Sequence, residues 1–277
     1  MTHNKILVSV MVSLAMLAPL ATAAEKEIQI EGSTTVGPIA DAFVEAFKTI
    51  APNTKISVKK TGSGDGARAL VDGTCQIASM SRFMKPKEFK KAVDNGIAPV
   101  AHVVAMDGVC IIVNNANPVK QLTMQQLRDI YTGKITNWKQ VGGADKPIVA
   151  YTRDSSSGTY ETFHKLAMNK QKMGPKVQTV SSNPAAKANV EKNPSGIAYV
   201  GLGFTKDGKV KKLVIDGVEP TQKTIASGKY PISRPLYLFT NGYPKLGSVV
   251  HAFCTFYLTP EGQDIIEKKG FVPVTSY

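Results

Sequence analysis

Ile148-Val149-Ala150-Tyr151-Thr152-Arg153-Asp154-Ser155-Ser156-Ser157-Gly158-Thr159 decides how this chain is read. The apolar run Ile148 to Tyr151 predicts a strand, and Phe163, Leu166 and Ala167 beyond Thr159 predict a helix. Between them lies a turn of small hydroxyl residues. The first turn of a helix leaves its N–H groups without partners and carries a partial positive charge, while Ser and Thr hydroxyls add donors that rotate to suit. Arg153 supplies a full charge. Two other stretches have the same form: Ile28 to Thr35 running into Val36, and Ile56 to Gly66 running into a short helix from Ala67. Three such corners can converge on one small oxyanion and hold it without chemistry.

The rest of the mature chain alternates in the same way. Ile39, Phe43, Phe47 and Ile50 share a helical face behind Pro38, and Gln76 to Arg82 reads as a short strand leaving into a fourth polar corner. Pro86 to Val93 predicts a helix. Val100 to Ala105 predicts a strand, Met106-Asp107-Gly108 a turn, and Val109 to Val113 a strand buried on both faces. Thr123 caps a helix over Met124 to Tyr131, and Gly133 to Gly143 is loop-rich around Trp138. Ser181 to Pro184 caps Ala185 to Lys192; Ile197 to Val200 and Lys211 to Ile215 read as strands. Tyr230 to Thr240 makes a second extended crossing, and the chain ends in helices over Leu246 to Leu258 and Pro260 to Lys269 before a short strand at Phe271 to Val274. Repeated strand and helix alternation predicts an α/β fold with mostly parallel sheets.

Length and composition agree with a two-domain globular protein. The chain has 277 residues, 43% of them apolar and 20% charged. Its N-terminus carries Lys5, an apolar run from Ile6 to Leu20 interrupted by Pro19, and then Ala21-Thr22-Ala23. That is the form of a secretory signal cleaved after Ala23 or Ala24, and the run falls short of the roughly twenty residues a membrane span needs. The expected location is periplasmic. The formal net charge of +13 suits an anionic ligand. No helix-turn-helix, zinc-finger or base-stacking pattern accompanies the lysines, so nucleic acid is not expected as a partner.

Cys75, Cys110 and Cys254 allow at most one disulfide and have no metal-like spacing; Cys110 and Cys254 read as buried small hydrophobes. A hydrolase is the competing class. No GxxxxGK[ST] loop, GxSxG elbow or HExxH pair occurs, and His102, His164 and His251 are isolated. His164 lies five to seven residues beyond Thr159 and Ser157, too far along the helix to meet their hydroxyls.

The ordered set of motifs resembles the periplasmic phosphate-binding proteins that serve ABC-type phosphate importers. The pieces are Gly32 to Ile39, Gly62 to Gly66, Ala78 to Arg82, Leu127 to Trp138 and Arg153 to Thr159, and they span nearly the whole mature chain. The resemblance implies a two-lobed periplasmic-binding-protein fold of type II, each lobe a mostly parallel sheet flanked by helices, with two crossover strands as hinge. The implied bounds are a signal peptide over 1–24, a discontinuous first lobe over 25–109 and 236–277, and a second lobe over 110–235. Inorganic phosphate is the implied ligand, with the permease and ATPase subunits of an importer as partners to a monomer. No cofactor, metal or catalytic residue is implied. Arsenate, sulfate or molybdate on the same fold remains the alternative, with a secreted phosphatase or serine hydrolase behind it.

Carried over by position, the resemblance puts Thr34, Thr35, Ser63, Ser81, Arg153, Ser157, Gly158 and Thr159 at the ligand, with Ser33, Gly64, Arg82 and Asp107 beside them. Longer relatives place an aspartate near Ser81, where it accepts a proton from the ligand. A serine hydroxyl accepts a hydrogen bond without charge. Asp107 is the candidate substitute and Asp65 the second; a turn at Asp107 and a helix cap at Asp65 are the alternatives.

Overall fold

The computed structural model describes residues 27–275, so the segment read as a signal peptide lies outside the described residues. The chain opens with β1 (Glu27–Gly32), α1 (Gly37–Ile50), β2 (Lys55–Lys60), α2 (Ser63–Val71), β3 (Ile77–Met80), α3 (Pro86–Asp94) and the long β4 (Pro99–Asn114). It continues through β5 (Gln121–Leu122), α4 (Met124–Thr132), β6 (Val149–Arg153), α5 (Gly158–Leu166), β7 (Gln178–Val180), α6 (Asn183–Lys192) and β8 (Gly196–Gly201). β9 (Val210–Lys212), β10 (Val214–Ile215), α7 (Gln222–Ala226), β11 (Ser233–Asn241), α8 (Val249–Thr255) and α9 (Pro260–Lys268) complete it.

One curled sheet runs through the molecule in the order β2-β1-β3-β11-β4-β8-β6-β7, with β9 also on β4 and a separate β5-β10 pair. Its two ends are parallel: β1 with β2 and β3, and β6 with β7 and β8. β4 and β11 pair antiparallel between them. Apolar side chains gather on either side of that middle. Ile28, Ile30, Phe43, Phe47, Leu236, Phe253 and Phe271 form a first core, where Phe43 and Phe47 meet Phe253 and Phe256 largely edge to face. Val109 to Val113, Tyr131, Trp138, Phe163, Tyr199 and Ile232 form a second.

Four local expectations are corrected. Met106-Asp107-Gly108 is no turn: β4 passes straight through it, because Ser233 and Arg234 of β11 sit in register opposite Gly108 and Asp107. Gly108 is needed there for space, since a Cβ would fall 2.5 Å from Ile225 Cδ1. The Gly62 to Gly66 corner is itself helical. α2 starts at Ser63, and Gly66 lets that first turn lie on β1, where a Cβ would meet the Glu31 carbonyl oxygen at 2.6 Å. The expected strand over Lys211 to Ile215 divides into β9 and β10, which serve different partners. The expected terminal strand reduces to a single bridge between Val272 and Met106. All three cysteines are free and buried, and burial pushes the Cys75 and Cys254 thiols up to about 12.

Candidate functional site

The helix starts converge. Gly32, at φ 136°, turns β1 toward α1 so closely that a Cβ would lie 2.1 Å from the Ser79 carbonyl oxygen. Ser33 Oγ then accepts the Thr35 and Val36 N–H groups at 3.1 and 3.3 Å, which leaves Thr34 and Thr35 facing inward. At the start of α2, Ser63 Oγ accepts the Ser81 N–H at 3.0 Å and lies 3.3 Å from Ser81 Oγ. At the start of α5, Asp154 Oδ1 accepts both the N–H and the hydroxyl of Ser156, and Ser157 Oγ caps the Tyr160 N–H.

These corners meet across the molecule. Gly64 N–H donates to the Ser156 carbonyl oxygen at 2.8 Å, and Thr35 Oγ1 stands 2.9 Å from Thr159 Oγ1. Gly158 fits because it has no side chain; a Cβ would come within 2.4 Å of Ser63 Oγ and 2.5 Å of Ser81 Oγ. Arg153 Nη1 reaches Thr34 Oγ1 at 3.1 Å. Thr34, Thr35, Ser63, Ser81, Arg153, Gly158 and Thr159 therefore share one buried focus, with Ser157 as the buried cap behind it.

The remaining four expectations fall out differently. The Ser33 hydroxyl and the Gly64 N–H are spent on the turn and on Ser156. Arg82 is held in a two-pronged pair by Glu88 at 2.8 and 2.7 Å. Asp107 is fully buried, and both its oxygens are engaged: Oδ2 by Arg234 Nε and Nη2 at 3.0 and 2.8 Å, Oδ1 by the Leu202 N–H at 2.9 Å. Asp65 lies in the first turn of α2, 3.8 Å from Arg68.

Two residues at the focus went unread in the sequence. Asn183, the first residue of α6, donates to both Thr34 Oγ1 and Thr35 Oγ1 at 2.9 Å. Arg234, on β11, reaches Thr35 Oγ1 at 3.2 Å and Thr159 Oγ1 at 3.1 Å. A signal for Arg234 existed: it is a charge inside an otherwise apolar crossing. Asn183 looked like part of a helix cap and nothing more.

Electrostatics separates the three buried guanidiniums. Arg82 and Arg234 each hold a carboxylate. Arg153 is 2% exposed, and its nearest carboxylate oxygen, Asp154 Oδ2, lies 3.9 Å away on a group already bound to Ser156. Burial pushes Arg153 down from its ordinary pKa, yet a guanidinium stays charged in proteins. Its Nη2 is buried without a hydrogen-bond partner, as are Arg82 Nε and Arg234 Nη1, so what sets Arg153 apart is the lack of a close carboxylate. Arg153 Nε is fixed on the Val180 carbonyl oxygen at 3.1 Å, and its backbone N–H on the Tyr199 hydroxyl at 3.1 Å. A pinned, uncompensated cation at the start of several helices can do one thing well, which is to hold a small anion. The histidines stand apart: His164 stacks on Tyr160 at 5.3 Å, and His102 Nε2 is 3.0 Å from Thr240 Oγ1. Among the described residues no group of three or more His, Cys, Asp or Glu is placed to hold a metal ion, and no helix is long and apolar enough to cross a membrane.

Comparison with known proteins gives the same picture. A PBP superfamily domain matches residues 18–261. A "Phosphate-binding protein PstS" from Staphylococcus epidermidis is 38% identical over 253 residues, covering 87% of this chain and 77% of its own length. A candidate phosphate ABC transporter substrate-binding protein from Clostridium perfringens, solved with bound phosphate, is 35% identical with a TM-score of 0.82, covering 90% of this chain and all of that one. An ABC-type phosphate transport receptor from Vibrio cholerae is 33% identical with a TM-score of 0.71, covering 88% of this chain and 99% of the other.

Proposed function

We infer the function from a plain premise: this chain belongs to the PBP superfamily and, within it, to the phosphate-binding proteins called PstS. It binds inorganic phosphate and delivers it to an ABC importer. The observation that carries this reading is Arg153, a buried cation with a free N–H and no close carboxylate, set among helix starts and hydroxyls. Phosphate supplies the missing negative charge, and its oxygens suit the hydroxyls of Thr34, Ser63, Ser81, Ser157 and Thr159 and the N–H groups at the start of α5.

The two cores act as lobes, residues 25–109 with 236–277 on one side and 110–235 on the other, with β4 and β11 as the hinge. The contacts between Gly64 and Ser156 and between Thr35 and Thr159 belong to the closed arrangement. A ligand that bridges those residues stabilises closure, and closure is the state an importer can recognise. The chain works outside the cytoplasm after loss of residues 1–24, and it turns nothing over. Support for the last point is that the serines here pair with one another, with backbone and with Asp154, and not with a histidine.

Calorimetric titration of the mature chain with phosphate, sulfate and arsenate tests this reading. Phosphate is expected to bind one to one. Arg153→Lys keeps the charge but loses the fork, so it should weaken phosphate about tenfold or more. Unchanged affinity in that variant, or sulfate displacing phosphate at equal concentration, contradicts it.

A further inference from the structure

Hydrogen bonding around Asn183 and Arg234 fixes more than position. A Thr hydroxyl has one proton to give and two lone pairs to fill. Asn183 Oδ1 accepts the Gly201 N–H at 3.2 Å, which sets the direction of the amide: its Nδ2 must face the threonines. The two Nδ2 hydrogens go to Thr34 Oγ1 and Thr35 Oγ1. Thr34 Oγ1 also accepts from Arg153 Nη1, so both its lone pairs are filled and its own proton must be given away. Thr35 Oγ1 is filled by Asn183 and by Arg234 Nη2, and its proton therefore goes to Thr159 Oγ1 at 2.9 Å. Thr159 Oγ1, filled by Thr35 and Arg234 Nη2, gives its proton onward. Arg234 Nη2 spends one hydrogen on Asp107 and shares the other between the two threonines.

We infer that Asn183 and Arg234 are positioning residues that lock the Thr34 and Thr159 hydroxyls outward, the latter through Thr35, so that the threonine side of the site only donates and favours the more deprotonated form of the bound oxyanion. The inference rests on the phosphate reading above. Monoanionic phosphate carries two O–H groups and the dianion one, and every ligand O–H needs an acceptor. The face made by Arg153, Thr34 and Thr159 has none to offer. Ser81 Oγ does: its neighbour Ser63 Oγ already accepts from the Ser81 N–H, and the Ser81 hydroxyl is free to turn. Ligand protons are accommodated only on this serine side, where Ser63 and Ser157 each accept one N–H and keep one lone pair, while each added proton removes negative charge from in front of the fixed donors opposite.

The ionisable groups around the hydroxyl chain are Asp107 and Cys110 on β4, Arg234 on β11, Arg153 on β6 with Asp154 after it, Tyr199 on β8, and Arg82 facing the start of α2. All of them persist in a variant at Asn183. Any difference in pH response between wild type and such a variant is therefore a difference in hydroxyl direction.

The test is phosphate titration by calorimetry at about pH 5.5 and about pH 8.5, on either side of the interconversion of the two anions, using wild type, Asn183→Leu and Thr35→Ala. Wild-type affinity should rise about tenfold or more between the two pH values. Asn183→Leu frees Thr34 and Thr35 to accept, so binding should weaken mainly at high pH and the ratio between the two pH values should shrink about threefold or more. A variant weakened equally at both pH values, with the ratio unchanged, assigns Asn183 a purely structural role and overturns the inference. Should Asn183→Leu fail to fold, Thr35→Ala interrupts the same chain at its middle, and an unchanged ratio there overturns it equally. Wild type taking no phosphate at either pH defeats the phosphate reading itself and this inference with it.

Discussion

Arg153 on β6 and Arg234 on β11 point at the same cluster of threonines from strands of one sheet with β4 and β8 between them, and they are built to opposite purposes. Arg234 is 4% exposed and anchored through two nitrogens to Asp107, a carboxylate with no exposure at all. Both partners ride on the paired crossings β4 and β11, and they face each other in register. Arg153 is buried as deeply but faces an empty ledger of charge: hydroxyl and carbonyl oxygens hold it, and no carboxylate comes closer than 3.9 Å. A buried ion pair is costly to break and close to neutral toward a third charge, even though Arg234 Nη1 has no hydrogen-bond partner. A buried lone cation is unfinished until an anion arrives. The difference supports the proposed division of labour, in which Arg234 ties the paired crossings together and Arg153 meets the ligand.

Breaking the hinge pair should give the largest effect. Arg234→Met leaves Asp107 buried without a counterion and is expected to destabilise the chain by about 3–5 kcal/mol in urea unfolding at neutral pH. Burial already raises the Asp107 carboxyl above its ordinary range while Arg234 opposes that rise, so removing Arg234 lets it climb further. A group whose folded pKa exceeds its unfolded value contributes most below the unfolded value and loses that contribution as pH rises through the folded one. The deficit of the variant should therefore shrink on acidification toward about pH 5, and Asp107→Leu in the same chain should recover most of it. A deficit independent of pH would mean that Asp107 is not the group left stranded.

Arg153→Met sharpens the contrast from the other side. Phosphate affinity should fall about a hundredfold or more, because the fork and a buried charge with no close carboxylate go together. The ligand-free chain, relieved of a buried cation without a partner, should lose no more than about 1 kcal/mol of stability and can gain some. If both variants lose stability alike, measured side by side in urea, the two arginines are not different in kind.

Much of this was legible in the sequence because the corners announce themselves locally. Strand, Ser/Thr/Gly turn and helix start are read from neighbours in the chain, and Thr34, Ser63, Arg153 and Thr159 do meet. What was misread depends on partners far away in sequence. Asp107-Gly108 has the composition of a turn, yet it lies in an extended strand because β11, more than a hundred residues on, fills its backbone bonds and Arg234 takes its charge. Asn183 is 149 residues from Thr34, and nothing in Ser-Ser-Asn-Pro distinguishes a helix cap from a side chain that reaches across the molecule. Local chemistry showed where donors would be, and only the packing showed which of them are already used.

The smallest expected effect concerns a contact that neither arginine makes. Lys85, in the loop before α3, reaches Glu161 in the first turn of α5 with Nζ 2.5 Å from Oε1, across 76 residues of sequence. Both line a groove of about 830 Å³ whose walls also include Arg82, Phe83 and Lys165. Their side chains are 40% and 30% exposed, so solvent screens the attraction, and an exposed pair of this kind contributes about 0.2–1 kcal/mol. That is enough to matter for closure, because the pair exists only while the two sides are together. Lys85→Met should spare the start of α3, since the Lys85 backbone N–H, not its side chain, donates to Glu88. Stopped-flow release of phosphate should then quicken about two- to fivefold in Lys85→Met or in Glu161→Gln, no further in the double variant, and not at all near about 0.5 M salt, where the interaction is screened in every form. An additive double variant would show that each residue acts alone, and the ion pair would then be a feature of the rim with no part in holding the cleft shut.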